Sequence, residues 1–185
     1  TWAGLCLEQL TDWSLQWMHK SCAAAPGRSA EEVWTRLAAK LEVNLKRGCP
    51  MGGVSFDFEK FYDLVPKLVG VDVLRELGLD EGIHRALRSF YQGMWRRVRI
   101  GTALGPTMEA SSSLVQGDPF AGLIINALAT LLFDEIDHNT TAEATSFVDD
   151  LNADVEAPDD VGTRREGFRH VVEQLQATVD IVGTF

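Results

Sequence analysis

The sequence predicts an α+β domain, and three stretches carry that prediction. Val54-Ser55-Phe56-Asp57-Phe58 alternates apolar and polar residues, the period of a strand with one buried face. Val33, Leu37, Leu41 and Leu45 recur every four residues, the spacing of a helix. Residues 145–148 and 151–155 flank Asp149-Asp150, which reads as a hairpin with two acids at its tip.

The remaining elements follow in order. Residues 2–20 carry Trp2, Leu5, Leu10, Trp13, Leu15 and Trp17, which suits a first helix, and Pro26-Gly27 breaks it. Ser29 with Glu32 three residues later is a capping box, so the second helix starts there and runs to about residue 46. After the strand, Pro66 opens a helix through Leu74 and Leu77 to Gly78. Residues 80–94 give another, with Ile83, Leu87, Phe90 and Met94 on its inner face. Arg97-Val98-Arg99-Ile100-Gly101 alternates as a short strand, Gly105-Pro106 turns the chain, and 107–110 pair back. Pro119 suits the first turn of a helix, and 120–137 is apolar enough to be a buried one. Pro158-Asp159-Asp160 opens a last helix with Phe168, Val171, Val172, Leu175 and Val179 inward.

At 185 residues and 45% apolar, the chain can bury a substantial core and suits one domain. It begins at Thr1 without a methionine and stops in an apolar stretch, so both ends read as cuts through a longer polypeptide. No signal-peptide pattern is present. The longest apolar run, 121–133, is interrupted by Asn126 and Thr130 and is shorter than the ~20 residues a bilayer crossing needs, so no membrane is expected. Cys6, Cys22 and Cys49 are odd in number and lack CxxC spacing, which points to a reduced intracellular compartment, cytoplasmic or nuclear, and away from a zinc site.

A net charge of −10 argues against nucleic acid, but its distribution changes that reading. Ten acids and no Lys or Arg lie between residues 134 and 163, whereas five arginines and no acid lie between 82 and 108. The acidic stretch surrounds Asp149-Asp150, and such a concentration of carboxylate suits Mg²⁺, which prefers oxygen ligands. Phosphoryl transfer onto a hydroxyl builds charge on attacking and leaving oxygens, and two metals roughly 3.5–4 Å apart stabilise both. Asp57 on one strand and Asp149 on an adjacent hairpin are the carboxylates that would converge to hold them.

The order of motifs resembles the palm of reverse transcriptases, especially those of retrotransposons lacking long terminal repeats. Asp57-Phe58-Glu59-Lys60-Phe61-Tyr62-Asp63 is similar to the family's first palm motif, D-x-x-K-A-F-D. Gln116-Gly117-Asp118-Pro119-Phe120, with Asn126 ten residues after Gln116, resembles Q-G-x-P-(L/F)-S…N, and Phe147-Val148-Asp149-Asp150 resembles the (F/Y)-x-D-D box. Gly27-Arg28-Ser29 resembles a G-R-S found upstream in these elements. The resemblance runs from about Gly27 to the C-terminus.

That resemblance implies an RNA-directed DNA polymerase: an antiparallel palm sheet packed on helices over 51–185, ending before the thumb, with a partial helical fingers segment over 1–50. It implies Mg²⁺, with Mn²⁺ as a substitute, held by Asp57, Asp149, Asp150 and the backbone carbonyl of Phe58. Tyr62 would lie under the sugar and disfavour a 2′-hydroxyl, and Gln116 and Gly117 would line the incoming deoxynucleoside triphosphate and template. Arg96, Arg97 and Arg99, beside Trp95, would grip the RNA template or stack on its bases, and a DNA primer would supply the 3′-hydroxyl.

Taken by residue type alone, Tyr62 also suits a core aromatic, Gln116 a loop closure, and the arginines solvated edge-strand charges. Lys60 and Asp63 suggest a local i, i+3 ion pair, Arg28 a neighbour of the helix start, and His84 and His138 ordinary surface residues. The second motif departs from the family in having Ala121-Gly122 where Ser-Pro is usual. Two other functions share the pattern: a degenerate palm acting as a binding or assembly module, and an RNA-dependent RNA polymerase. The latter usually carries Gly before its Asp pair, where this chain has Val148.

Overall fold

The computed structural model describes residues 2–109, 112–115, 117–148 and 150–185, apart from the side chains of Trp2 and Phe61. The chain is a mixed α+β fold. Two helices, α1 (Trp2–Trp17) and α2 (Ala30–Arg47), precede the strand β1 (Met51–Asp57). A one-turn helix α3 (Phe61–Leu64) and the helices α4 (Lys67–Glu76) and α5 (Glu81–Gln92) follow. The short strands β2 (Trp95–Arg96), β3 (Arg99–Ile100), β4 (Ala103–Leu104) and β5 (Met108–Glu109) form an arm. Then come α6 (Pro119–Asn139), β6 (Glu143–Phe147), β7 (Asp150–Glu156) and α7 (Arg164–Thr184).

The main sheet is antiparallel in the order β1-β7-β6. Its buried face carries Val54 and Phe56 of β1, Leu151, Ala153 and Val155 of β7, and Ala144 and Ser146 of β6, against α6 and α7. The free edge of β6 is covered by the chain after α1: Ala23 donates to the Ser146 carbonyl (2.8 Å) and Ser146 donates to that of Ser21 (3.0 Å). Covering an edge strand in this way leaves its amides unavailable for unwanted pairing.

The apolar helix α6 is the centre of the core. Among the described residues it is long and apolar enough to cross a bilayer, but 61% of that stretch is buried within the protein. The apolar run read from sequence, 121–133, is shorter because it stops at Asp134; Asn126 and Thr130 lie within it. Both are buried, and the Thr130 hydroxyl answers the Asn126 carbonyl at 2.8 Å. Helix α4 packs on α6 through Gly70, where a Cβ would lie 2.3 Å from Ile124 Cγ2. Only glycine permits that approach.

Three helical faces differ from expectation. On α2, Val33 and Leu37 face the body but Leu41 is exposed and Leu45 is 84% exposed. A four-residue repeat drifts about 40° per step on a helix of 3.6 residues per turn, so the stripe leaves the contact after two steps. What holds α2 is polar. Lys40 meets Asp154 at 2.6 Å, Glu143 at 3.0 Å and Glu156 at 3.4 Å on the open face of the sheet. Ser29 does cap α2, accepting from the Glu32 amide at 3.2 Å.

On α5 the buried stripe is His84, Leu87 and Tyr91, while Phe90 is 51% exposed. His84 is therefore no surface residue. Its Nε2 lies 3.0 Å from Asp72 Oδ1, its Nδ1 is buried without a hydrogen-bond partner, and Arg88 donates to both Asp72 oxygens at 2.5 and 2.6 Å. His and Tyr belong on the inner face because each finds a carboxylate there. The last helix starts at Arg164, capped by Thr163, rather than at Pro158. Its buried residues are Gly167, Val171, Thr178 and Val182, whereas Phe168, Val172 and Val179 face out. Small residues set this rotation: a Cβ on Gly167 would lie 3.0 Å from Pro50 and 3.1 Å from Ala157.

The Arg88 guanidinium, with burial opposing and His84 assisting, holds the Asp72 carboxyl below its ordinary value of 3.8. A depressed carboxylate stabilises the fold above pH 3.8, and this contribution is lost as pH falls through the lower, folded-state value. Urea unfolding of Asp72→Asn should therefore show lower stability at pH 7 and a flatter decline below pH 3.8 than the parent. Parallel curves for the two proteins would show that the Asp72 cluster is not an acid-sensitive tie between α4 and α5.

Candidate active site

The register of β1 against β7 builds the site. Asp57 pairs with Asp150, which in turn pairs with Phe147 of β6, at the end of the sheet. Val54 and Phe56 point inward, so Ser55 and Asp57 point to the opposite, open face, and both acids are exposed. Residues directly opposed in an antiparallel pair have Cβ atoms about 4.5–5.5 Å apart, and like charges so placed repel. Among the described residues neither acid has an ion-pair partner to relieve that repulsion.

Beside them β6 ends at Phe147, and Val148 begins the turn toward β7. Asp149 lies outside the described residues, as does Gln116. Among the described residues no group of three or more His, Cys, Asp or Glu converges to hold a metal. Asp57 and Asp150 contribute two carboxylates. This donor set, hard oxygen with uncompensated negative charge, fits a divalent cation such as Mg²⁺. Phe58, half-buried against the core, follows Asp57 at the site.

Backbone strain gathers around the same loops. Among the described residues, positive φ outside glycine occurs at Lys60 (53°), Ser113 (100°) and Val148 (61°). Each lies within three positions of Asp57, Gln116 or Asp149. A β-branched residue such as Val148 rarely adopts this region, and such positions typically cost about 1–3 kcal/mol unless the surroundings impose them. Gly117 also has positive φ (87°), and a Cβ there would meet nothing within 4 Å. Its glycine serves backbone freedom and leaves open space above the loop.

The first two motif loops are stitched together. Leu114 donates to the Tyr62 carbonyl at 2.8 Å and Ser113 to that of Val65 at 3.0 Å. Asp63 accepts from Arg96 at 3.1 Å and from Ser113 Oγ at 3.3 Å, and Arg96 also donates to Ser113 Oγ. The expected Lys60–Asp63 pair does not form. Lys60 faces Glu59 at 3.8 Å, because its left-handed backbone turns it away from α3. Tyr62 is half-buried against core residues. Beneath the acids a cavity of about 410 Å³ opens between Asp57, Phe58 and Val148 and the α6 residues Leu128 and Leu132.

Arg28 is a tie within the fold, donating to the carbonyls of His19 (2.7 Å) and Cys22 (3.0 Å) in the segment that covers β6. Of the other candidate arginines, Arg97 donates to Thr107 Oγ1 at 2.5 Å and Arg99 to the Gly101 carbonyl at 2.8 Å. Sequence reading missed Tyr91. It is fully buried, and its hydroxyl donates to Asp118, the residue that opens α6 directly after Gly117. Burial first, then this hydrogen bond, push the Tyr91 hydroxyl well above its ordinary value, so it remains a donor. Its seven-residue spacing from His84, with Leu87 between, was the available signal.

The chain matches no protein-family model and no curated protein.

Two outcomes follow from this geometry. Asp57→Asn removes one of two opposed charges, so the metal-free protein should melt higher, by up to about 1 kcal/mol, with the gain shrinking on addition of Mg²⁺. Calorimetry with and without the ion measures both. Tyr91→Phe leaves the Asp118 carboxylate without its buried donor and should lower stability by about 1–3 kcal/mol. An unchanged unfolding curve would remove Tyr91 as the anchor of this loop.

Proposed function

We propose that this chain is the palm, with part of the fingers, of an RNA-directed DNA polymerase of the kind found in retrotransposons lacking long terminal repeats. One observation carries the reading. The strand pairing sets an acid of the first motif against an acid of the third, at an exposed sheet end where, among the described residues, neither acid has an ion-pair partner. A structural role would not require opposed carboxylates there, whereas a divalent-cation site does. The positive φ values at all three motif loops support the same reading, because strained positions cluster where a site must be held in one geometry.

In this reading Asp57, Asp149 and Asp150, with the Phe58 carbonyl, hold the ions. Bound Mg²⁺ supplies stabilisation of charge on the attacking and leaving oxygens. The chain's own residues do the rest. The open face around Gly117 admits the incoming deoxynucleoside triphosphate close to the backbone, with Gln116 beside it. Tyr62, fixed through its carbonyl to Leu114, presents its ring to the sugar and disfavours a 2′-hydroxyl. The Asp63–Arg96–Ser113 network keeps these two loops in register with each other. The primer 3′-hydroxyl would approach the Asp57–Asp150 end of the sheet, with the RNA template alongside.

Mn²⁺ titration followed by electron paramagnetic resonance tests the site directly. The parent should bind the ion, and Asp57→Asn should weaken binding by at least about tenfold, since loss of even an outer supporting partner typically costs 10–100-fold. In a full-length polymerase containing this segment, Asp149→Asn should abolish primer extension while leaving the fold intact. Normal extension by that variant would sink the proposal. A folded parent indifferent to Mn²⁺ would favour a degenerate palm that binds or assembles without catalysis.

A further inference from the structure

Under the end of the sheet, a cavity of about 410 Å³ separates the strands from α6. Its size falls among those of small-molecule sites, about 300–1,000 Å³. Leu128, Leu132 and Phe133 of α6 line one side, and Phe58, Val148 and Leu151 the other. Phe58 follows Asp57 and Val148 precedes Asp149, so an occupant touches both motif loops from below.

One polar group within this lining is unanswered. Ser146 sits on the buried face of β6, opposite Leu151, and is only 6% exposed. Its backbone amide and carbonyl bond to the 21–23 segment. Among the described residues its hydroxyl has no hydrogen-bond partner. Buried hydroxyls are normally paired. Ala144, two positions earlier on the same face, shows that packing there needs no hydroxyl.

The lining selects the occupant. A buried water takes about two to four polar partners, and this interior offers one hydroxyl. An anion would meet the exposed carboxylates of Asp57 and Glu59 at the mouth. A compact hydrated cation stays with those acids and gains nothing from leucine and phenylalanine walls. An uncharged apolar body instead restores the dispersion contacts that a void forfeits. Phe58 and Phe133 favour an aromatic one, because paired rings gain beyond their buried area. An engineered apolar cavity of about 150 Å³ holds one benzene, so this space suits roughly two fused rings. We propose that the cavity is a binding site for an uncharged two-ring aromatic molecule whose single polar group pairs with the Ser146 hydroxyl. The site stands whether or not the acids above it hold metal.

The test uses three probes without divalent metal. 2-Naphthol has the required shape and polar group, naphthalene lacks the polar group, and 2-naphthoate adds a negative charge. Each is titrated into the chain carrying ¹³C-labelled methyl groups. With 2-naphthol the Leu128, Leu132 and Val148 methyls should shift, each assigned by its loss in a conservative single variant. Those of the exposed Leu41 and Leu45 on α2 should stay. 2-Naphthol should bind about two- to tenfold tighter than naphthalene, the net worth of one hydrogen bond. Ser146→Ala should erase that preference and still bind naphthalene. Ala129→Phe, which fills the cavity from α6, should weaken both at least about tenfold. Circular dichroism checks that both variants fold.

Three silent methyls overturn the proposal, as do shifts spread equally to Leu41 and Leu45. Equal affinity for 2-naphthol and naphthalene, or for 2-naphthol and 2-naphthoate, also overturns it. A concentration-dependent shift without any probe would place a second copy's side chains in the cavity, with the same consequence. Silent methyls with Mn²⁺ binding intact would discard the cavity site and spare the polymerase reading. Responding methyls with no Mn²⁺ site would do the opposite.

Discussion

The pairing of β1 with β7 in a single register underlies the rest of the structure. A slip of one residue would turn Val54, Phe56, Leu151, Ala153 and Val155 outward and bury Asp57 and Asp150. Burying one leucine-sized side chain stabilises by about 1.5–3 kcal/mol, and opposing two like charges at a surface costs less than about 1 kcal/mol. The apolar face therefore wins, and it forces the acids together on the open side. The repulsion at the sheet end is a by-product of core formation that a divalent cation can relieve.

Around that pair, the fold imposes local conformations that the residues themselves disfavour. Val148, directly after β6, adopts positive φ, a region that a β-branched residue rarely enters. Ser113 does so while held by Asp63 and Arg96, and Tyr91 reaches from α5 to fasten Asp118. The constraint comes from outside each loop: the core helix α6 on one side and the one-turn helix α3 on the other. A loop supported in this way can keep one geometry without having a low-energy backbone of its own.

Charge plays two different roles in the same molecule. Lys40 satisfies three acids on the rear of the open sheet face and secures a helix whose apolar contacts run out after two turns. Burial raises the Asp154 carboxyl and the Lys40 hydrogen bond partly offsets this, so that end of the sheet is compensated. Among the described residues the Asp57–Asp150 end has no such partner. The strand order carries acids to both ends, and Lys40 serves the far one.

Much of this was legible in the residues. Alternation around Asp57, a hairpin near residues 145–155, the apolar run after Pro119 and the Ser29 cap are local signals, because each depends on periodicity or on one turn of chain; Asp150 lies in the strand β7 rather than at the hairpin tip. Helix faces were less legible. A four-residue apolar repeat fixes a helix but not how long it stays in contact. His84 and Tyr91 read as polar until carboxylates from α4 and the α6 cap arrive beside them. That Asp57 lies opposite Asp150, that Arg96 is spent on Asp63 while Arg97 and Arg99 are not, and that α2 hangs on Lys40 are pairings between distant segments. No periodicity encodes such pairings; they exist only once sheet register and helix packing bring the partners within hydrogen-bond reach.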